Sequence, residues 1–80
     1  MIMSKENLIK QIKKNSSEVY RIYEKEYEGY KFIDVRIYYM DKNSGEYKPT
    51  KKGISIMPNN AGEVIEGILE AMEWMGFNEK

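Results

Sequence analysis

The 80-residue chain has no cysteine, no histidine, only two prolines and a formal net charge of zero. Without cysteine there is no disulfide framework, thiolate zinc site or thiol nucleophile. Without histidine the commonest general base and metal ligand near neutral pH is missing as well. Catalysis, a metal and a cofactor are therefore not expected. Long apolar runs are absent too: nothing approaches the ~18 residues of a membrane span, and the lysine-bearing start lacks the apolar core of a secretory signal. These absences predict an intracellular protein with no membrane partner, located in the cytoplasm or nucleoid if the source is prokaryotic. One small domain of this length gains only ~3–5 kcal/mol from its core, the size at which a second copy often supplies the rest.

What the chain does have is tyrosine, seven of its ten aromatics, and charge that is unevenly spread. Residues 1–53 carry twelve basic and eight acidic groups, residues 54–80 one basic and five acidic. The neutral total conceals a basic first part and an acidic last part, so a phosphate-binding surface is compatible with it.

Residues 1–16 read as a basic N-terminal segment. Within it Ser4 to Lys14 predicts a short helix, with Ser4 as N-cap and Leu8, Ile9 and Ile12 at helical spacing. Residues 17–80 read as the domain proper. Ser17 to Tyr27 and Tyr30 to Met40 are rich in β-branched and aromatic residues and predict strands joined by a turn at Glu28-Gly29. In the second, Ile33, Val35 and Ile37 form a core face. Tyr30, Phe32, Asp34, Arg36 and Tyr38 form the opposite face, wet yet aromatic. After Asn43-Ser44-Gly45, a short strand around Glu46 to Thr50 is followed by another at Ile54 to Met57, completing an antiparallel meander of four strands.

The last element is a helix from after Pro58 to about Gly76, capped by Asn59 or Asn60. Its apolar side chains fill an arc of roughly 160°, wider than the ~100° a surface helix needs. Ile65, Ile68, Met72 and Met75 continue from Ala61 at spacings of four and three, the seam of a helix pair, and predict a homodimer interface. Glu63, Glu66, Glu70 and Glu73 occupy the other side.

Functional candidates concentrate on the sheet. Arg36 lies among Tyr30, Phe32 and Tyr38, and the following strand supplies Lys48, Lys51 and Lys52. Cations beside flat rings suit single-stranded nucleic acid: the cations neutralise phosphates, and each ring can stack on a base for ~1–3 kcal/mol. Glu24, Glu26 and Glu28 alternate, but lack the looped ligand spacing of a hard-cation site and read as a solvated edge. Asp34 reads as a lateral partner that orients the neighbouring cations.

Two blocks carry a family likeness. Phe32-Ile33-Asp34-Val35-Arg36-Ile37-Tyr38-Tyr39-Met40-Asp41, followed by Gly45-Glu46-Tyr47-Lys48-Pro49-Thr50-Lys51-Lys52-Gly53-Ile54-Ser55-Ile56, resembles the Positive Cofactor Four family of transcriptional coactivators, in a compact prokaryotic or viral form. The resemblance implies an α+β protomer of order β-β-β-β-α with a curved antiparallel sheet, a homodimer through the C-terminal helices, and sequence-tolerant binding of single-stranded DNA. Carried over by position, it implies DNA contacts at Arg36, Tyr39, Lys51 and Lys52, with Tyr27 near the first hairpin. Tyr39 stands where the family commonly has tryptophan. Strict alternation sets Tyr39 on the core side, so either a bulge re-aims it or Tyr38 makes the contact. Glutamates interspersed with Lys25 and Lys31 at the first hairpin should weaken that end of the groove.

The expected nucleic-acid-binding set is therefore Lys25, Tyr27, Tyr30, Lys31, Arg36, Tyr38, Tyr39, Lys48, Lys51 and Lys52. The expected partners are single-stranded DNA, a second copy of the chain, and proteins of transcription or replication. Two alternatives stay open: a protein-interaction module of the transcription machinery, and an RNA-binding variant.

Overall fold

Alternating β-branched and aromatic residues do build the sheet, over a longer stretch of chain than the pattern suggests. The computed structural model describes residues 4–76. Residues 1–3 and 77–80, the ends of the two predicted segments, lie outside it. Four strands, β1 (Ser4–Lys13), β2 (Glu18–Tyr27), β3 (Tyr30–Asp41) and β4 (Glu46–Ile56), precede one helix, α1 (Pro58–Trp74). The strands lie side by side in chain order and all neighbours are antiparallel. The expected α+β architecture and its β-β-β-β-α order are observed, with two corrections inside it.

First, Ser4 to Lys13 is a strand, not the expected short helix, and pairs along its length with β2. The helical spacing of Leu8, Ile9 and Ile12 has another origin. The register shifts between Leu8 and Lys10, leaving Ile9 without a partner. This bulge moves the side chains after it to the other face, which breaks the two-residue period of a strand. Second, the two short strands expected at Glu46 to Thr50 and Ile54 to Met57 are one strand, Glu46–Ile56. Pro49 is tolerated because β4 is an edge strand, where a missing N–H costs no ladder bond. The count of four strands survives because β1 replaces the one lost.

The turns follow local chemistry. At the β2–β3 hairpin Glu28 and Gly29 both have positive φ, 51° and 85°, as a two-residue turn of this hand requires. Asn15 closes the β1–β2 loop by accepting the backbone N–H groups of Ser17 and Glu18 with its side-chain oxygen.

The helix begins two or three residues earlier than an asparagine cap would place it. Met57 is the N-cap without a side-chain bond, and Pro58 fills the first turn, where its missing N–H is harmless. Gly76, at φ 85°, ends it as expected, donating its N–H to the Glu73 carbonyl. α1 touches β3 but buries none of its residues. Among the described residues no helix is long and apolar enough to cross a membrane.

The core is small. Only Val19, Tyr38 and Asp34 are buried among the described residues, at 4%, 7% and 2% exposure. Strand pairing defines two faces. One carries Arg21, Tyr23, Lys25 and Tyr27 of β2 beside Arg36, Asp34, Phe32 and Tyr30 of β3; the other carries Tyr20 and Ile22 beside Ile37 and Val35. The first is the polar face and the second the apolar face.

Candidate nucleic-acid interface

The polar face is a closed network. Arg36 donates from Nε to Asp34 Oδ2 at 3.1 Å and from Nη2 to Oδ1 at 2.9 Å, a bidentate fork. Its Nη1 donates to the Thr50 carbonyl at 3.0 Å. The bonds to Asp34 raise the guanidinium pKa above its ordinary value, against the opposing effect of burial. Lys25 adds a second cation to Asp34, Nζ to Oδ2 at 3.8 Å, and reaches Glu6 of β1 at 3.7 Å. A buried carboxylate is tolerated here because two cations converge on it.

Beside this pair, Arg21 lies over the rings of Tyr38 and Tyr47, 4.8 Å and 5.4 Å from their centroids. It also donates to Gln11 Oε1 at 2.8 Å and to the Tyr23 hydroxyl at 3.0 Å. The Tyr23 and Tyr38 rings are 5.9 Å apart. Covered in this way, Tyr38 has its hydroxyl pushed up to about 12, chiefly by burial. The expectation of a wet face at Asp34, Arg36 and Tyr38 is thus corrected: long side chains fold over one another and shut water out. Tyr38 offers no open ring for stacking, and Arg36 has most of its donors engaged within the chain.

The remaining candidates fall into two groups at opposite ends of β3, nine residues or roughly 30 Å apart at ~3.3 Å per residue. At the first hairpin, Tyr27 and Tyr30 face each other across the strands, 47% and 71% exposed. Lys25 shares their face, while Lys31, opposite Glu26, lies on the other. Lys31 is exposed and makes no ion pair among the described residues.

At the far end, Tyr39 pairs with Lys48 and Glu18 on the apolar face and is 41% exposed. The alternation of β3 is therefore kept, and the irregularity lies in β4. Lys48 is held at 3.0 Å by Asp41, which raises the lysine pKa and lowers that of the carboxylate. Lys51 and Lys52 are exposed and make no ion pair among the described residues. Lys52 borders a shallow depression of about 240 Å³ with Tyr20, Val35, Ile37 and Ile54. Tyr20 is a ring the sequence pattern passed over. Its signal was present, an exposed aromatic position opposite Ile37, but nothing in β2 alone sets it beside Lys52.

The expected dimer seam is open in the single chain. Ile65 and Ile68 are each 57% exposed and Met75 is 68% exposed, while Met72 is half-buried.

Comparison with known proteins fits this geometry. Residues 14–67 match the family model described as Transcriptional Coactivator p15 (PC4). A curated relative, the RNA polymerase II transcriptional coactivator SUB1 of Saccharomyces cerevisiae, is 36% identical over 59 residues. That match takes in 70% of this chain but only 20% of the yeast protein, so the chain spans about a fifth of its length. Among solved structures, a PC4 homolog from Burkholderia pseudomallei superimposes with a TM-score of 0.78 at 34% identity, covering 84% of this chain and 97% of the other. A second crystal form of it gives 0.76 at 35% identity, covering 81% and 86%. Matched over more than half its length in sequence and over nearly the whole of a solved relative in structure, the chain belongs to the PC4 family of transcriptional coactivators.

Proposed function

We propose that this protein binds single-stranded DNA, with little sequence preference and without catalysis, as an intracellular homodimer that supports transcription, replication or repair. The observation that carries this reading is the set of groups left unused by the chain. Tyr27, Tyr30 and Tyr39 keep exposed rings, and Lys31, Lys51 and Lys52 make no ion pair among the described residues, on a sheet whose other polar groups are largely engaged. Rings stack on unpaired bases and lysines neutralise phosphates, whereas a duplex hides its base faces. Lys25, Lys48 and Arg36 contribute positive potential from within ion pairs and make weaker direct contacts. Family membership, and the name of the yeast relative, favour a role in transcription.

Exposed surface supports the dimer. The chain exposes 6756 Å², against about 5,000 Å² expected for a compact monomer of 9.5 kDa. The excess is of the order that obligate dimers bury. Ile65, Ile68, Met72 and Met75 supply the apolar seam.

The deciding experiment is titration with oligo-dT and with duplex of equal length over a salt series. Clear preference for the single strand is expected, with a log–log salt slope of about −2 per protomer for three phosphate contacts. Lys51→Glu combined with Lys52→Glu should abolish binding and leave the fold and dimer intact. Equal affinity for both nucleic acids, or indifference to salt, overturns the proposal in favour of a protein-interaction module.

A further inference from the structure

Opposite the single residue Ile37 of β3, strand β4 carries three residues, Thr50, Lys51 and Lys52, where a regular ladder has one. Such an insertion leaves backbone groups without ladder partners, and side chains take over here. Arg36 Nη1 donates to the Thr50 carbonyl at 3.0 Å. The Thr50 hydroxyl donates to the Ile37 carbonyl at 2.7 Å and accepts the Lys52 N–H at 3.1 Å. Arg36 is itself held by the fork from Asp34, the most buried side chain among the described residues. Gly53 makes room for this crossing: a Cβ there would stand 2.7 Å from Arg36 Cζ and 2.8 Å from the Val35 carbonyl oxygen. The polar network thus ends on the bulge that bears the two exposed, unpaired lysines.

We propose that Asp34, acting through Arg36, is a positioning residue for single-stranded DNA: the pair staples the β4 bulge so that Lys51 and Lys52 are presented as a fixed phosphate clamp. The inference rests on the DNA-binding function proposed above and assigns Arg36 a different part in it. Three of the five guanidinium donors are committed within the protein, two to the Asp34 carboxylate and one to the Thr50 carbonyl, so its main work is inside the sheet. Holding the backbone under two successive lysines removes part of the ordering cost that a mobile loop meets on binding. Lysine in place of Arg36 would keep the charge but could not span carboxylate and carbonyl at once.

The test compares wild type, Asp34→Asn, Arg36→Lys and Thr50→Val for oligo-dT affinity across a salt series, with amide hydrogen exchange on the free proteins. Asp34→Asn removes a negative charge and no positive one, so electrostatics alone would leave binding equal or tighter. Positioning predicts the opposite sign: affinity lower by roughly tenfold and a salt slope shallower by about 0.7 for each lysine released from the clamp. Arg36→Lys should fail to restore binding, whereas a residue acting as a simple phosphate contact would be largely rescued by lysine. In the free Asp34→Asn and Thr50→Val proteins the Lys52 amide should exchange faster while the β2–β3 ladder stays protected, which also reports that both variants fold. Should Asp34→Asn not fold, Thr50→Val carries the same comparison from the β4 side of the bulge. Wild type that binds oligo-dT, together with folded Asp34→Asn and Thr50→Val variants that bind as well or better, overturns the positioning role alone. Wild type that fails to bind oligo-dT at low salt overturns the function itself, and the inference with it.

Discussion

On the polar face of β3, Asp34 is 2% exposed and Tyr38 7%; on the apolar face, Ile54, paired with Val35, is 56% exposed. Burial in the single chain runs against hydropathy, and side-chain length explains why. Arg21, Lys25, Arg36 and Tyr23 are long enough to lie across their neighbours, so their stems and rings form a lid while their polar ends find partners within the sheet. Isoleucine and valine stand up from the strand and cover nothing beside them, so they need a second layer. The centre of one face completes itself, and the other is left open in the single chain.

The largest expected effect is the loss of that self-completion. Tyr38→Ala removes the ring beneath Arg21 and should cost ~3–5 kcal/mol, comparable to the whole stability of a domain this small. Chemical denaturation should find the variant largely unfolded, and a midpoint near that of wild type would break the contrast between the faces.

Next comes the open surface. Ile65→Glu with Ile68→Glu places carboxylates in the proposed seam and should weaken association on the order of a hundredfold or more, since unpaired charge is costly to bury. Sedimentation at micromolar concentration should show monomer, with the β-sheet signature of the circular dichroism spectrum retained at low temperature. A variant that stays dimeric moves the interface away from α1.

The smallest effect is in alkali. The folded Tyr38 hydroxyl holds its proton up to about 12, whereas the unfolded chain releases it near pH 10, so this contribution is full below pH 10 and is lost as pH rises to 12. Tyr38→Phe keeps the ring and should flatten that limb of the stability curve. An unchanged limb would mean that the ring is less enclosed than its 7% exposure indicates.

How far the sequence could be read depended on whether a pattern was local. β3 was legible because alternation held from Tyr30 to Asp41 without a break. β1 was not, because the bulge at Ile9 gave its apolar residues a helix-like spacing. β4 reads as two strands broken at Lys51-Lys52-Gly53, since extra residues in a strand look like a turn when the partner strand is unseen. Of the candidate residues, Tyr27, Tyr30, Lys31, Lys51 and Lys52 are legible from type and position alone and are exposed in the structure. For Arg36 and Tyr38 the alternation gives the face but not the cover: Arg36 is half-buried and Tyr38 buried. What covers them comes from Arg21 and Tyr47, residues seventeen before and nine after Tyr38 in the chain.

The sequence by itself determined the class of the fold, the long central strand, the terminal helix with its stop at Gly76, the family, and the kinds of side chain available for phosphates and bases. Those properties depend on periodicity and residue type, which neighbouring positions carry. Only the tertiary structure decided which cations are held in ion pairs among the described residues, that Asp34 is the most buried side chain among them rather than a surface partner, and that the Lys51-Lys52 pair sits on a bulge tied to Arg36. These depend on register between strands, and register is a relation between distant segments that no single stretch of chain contains.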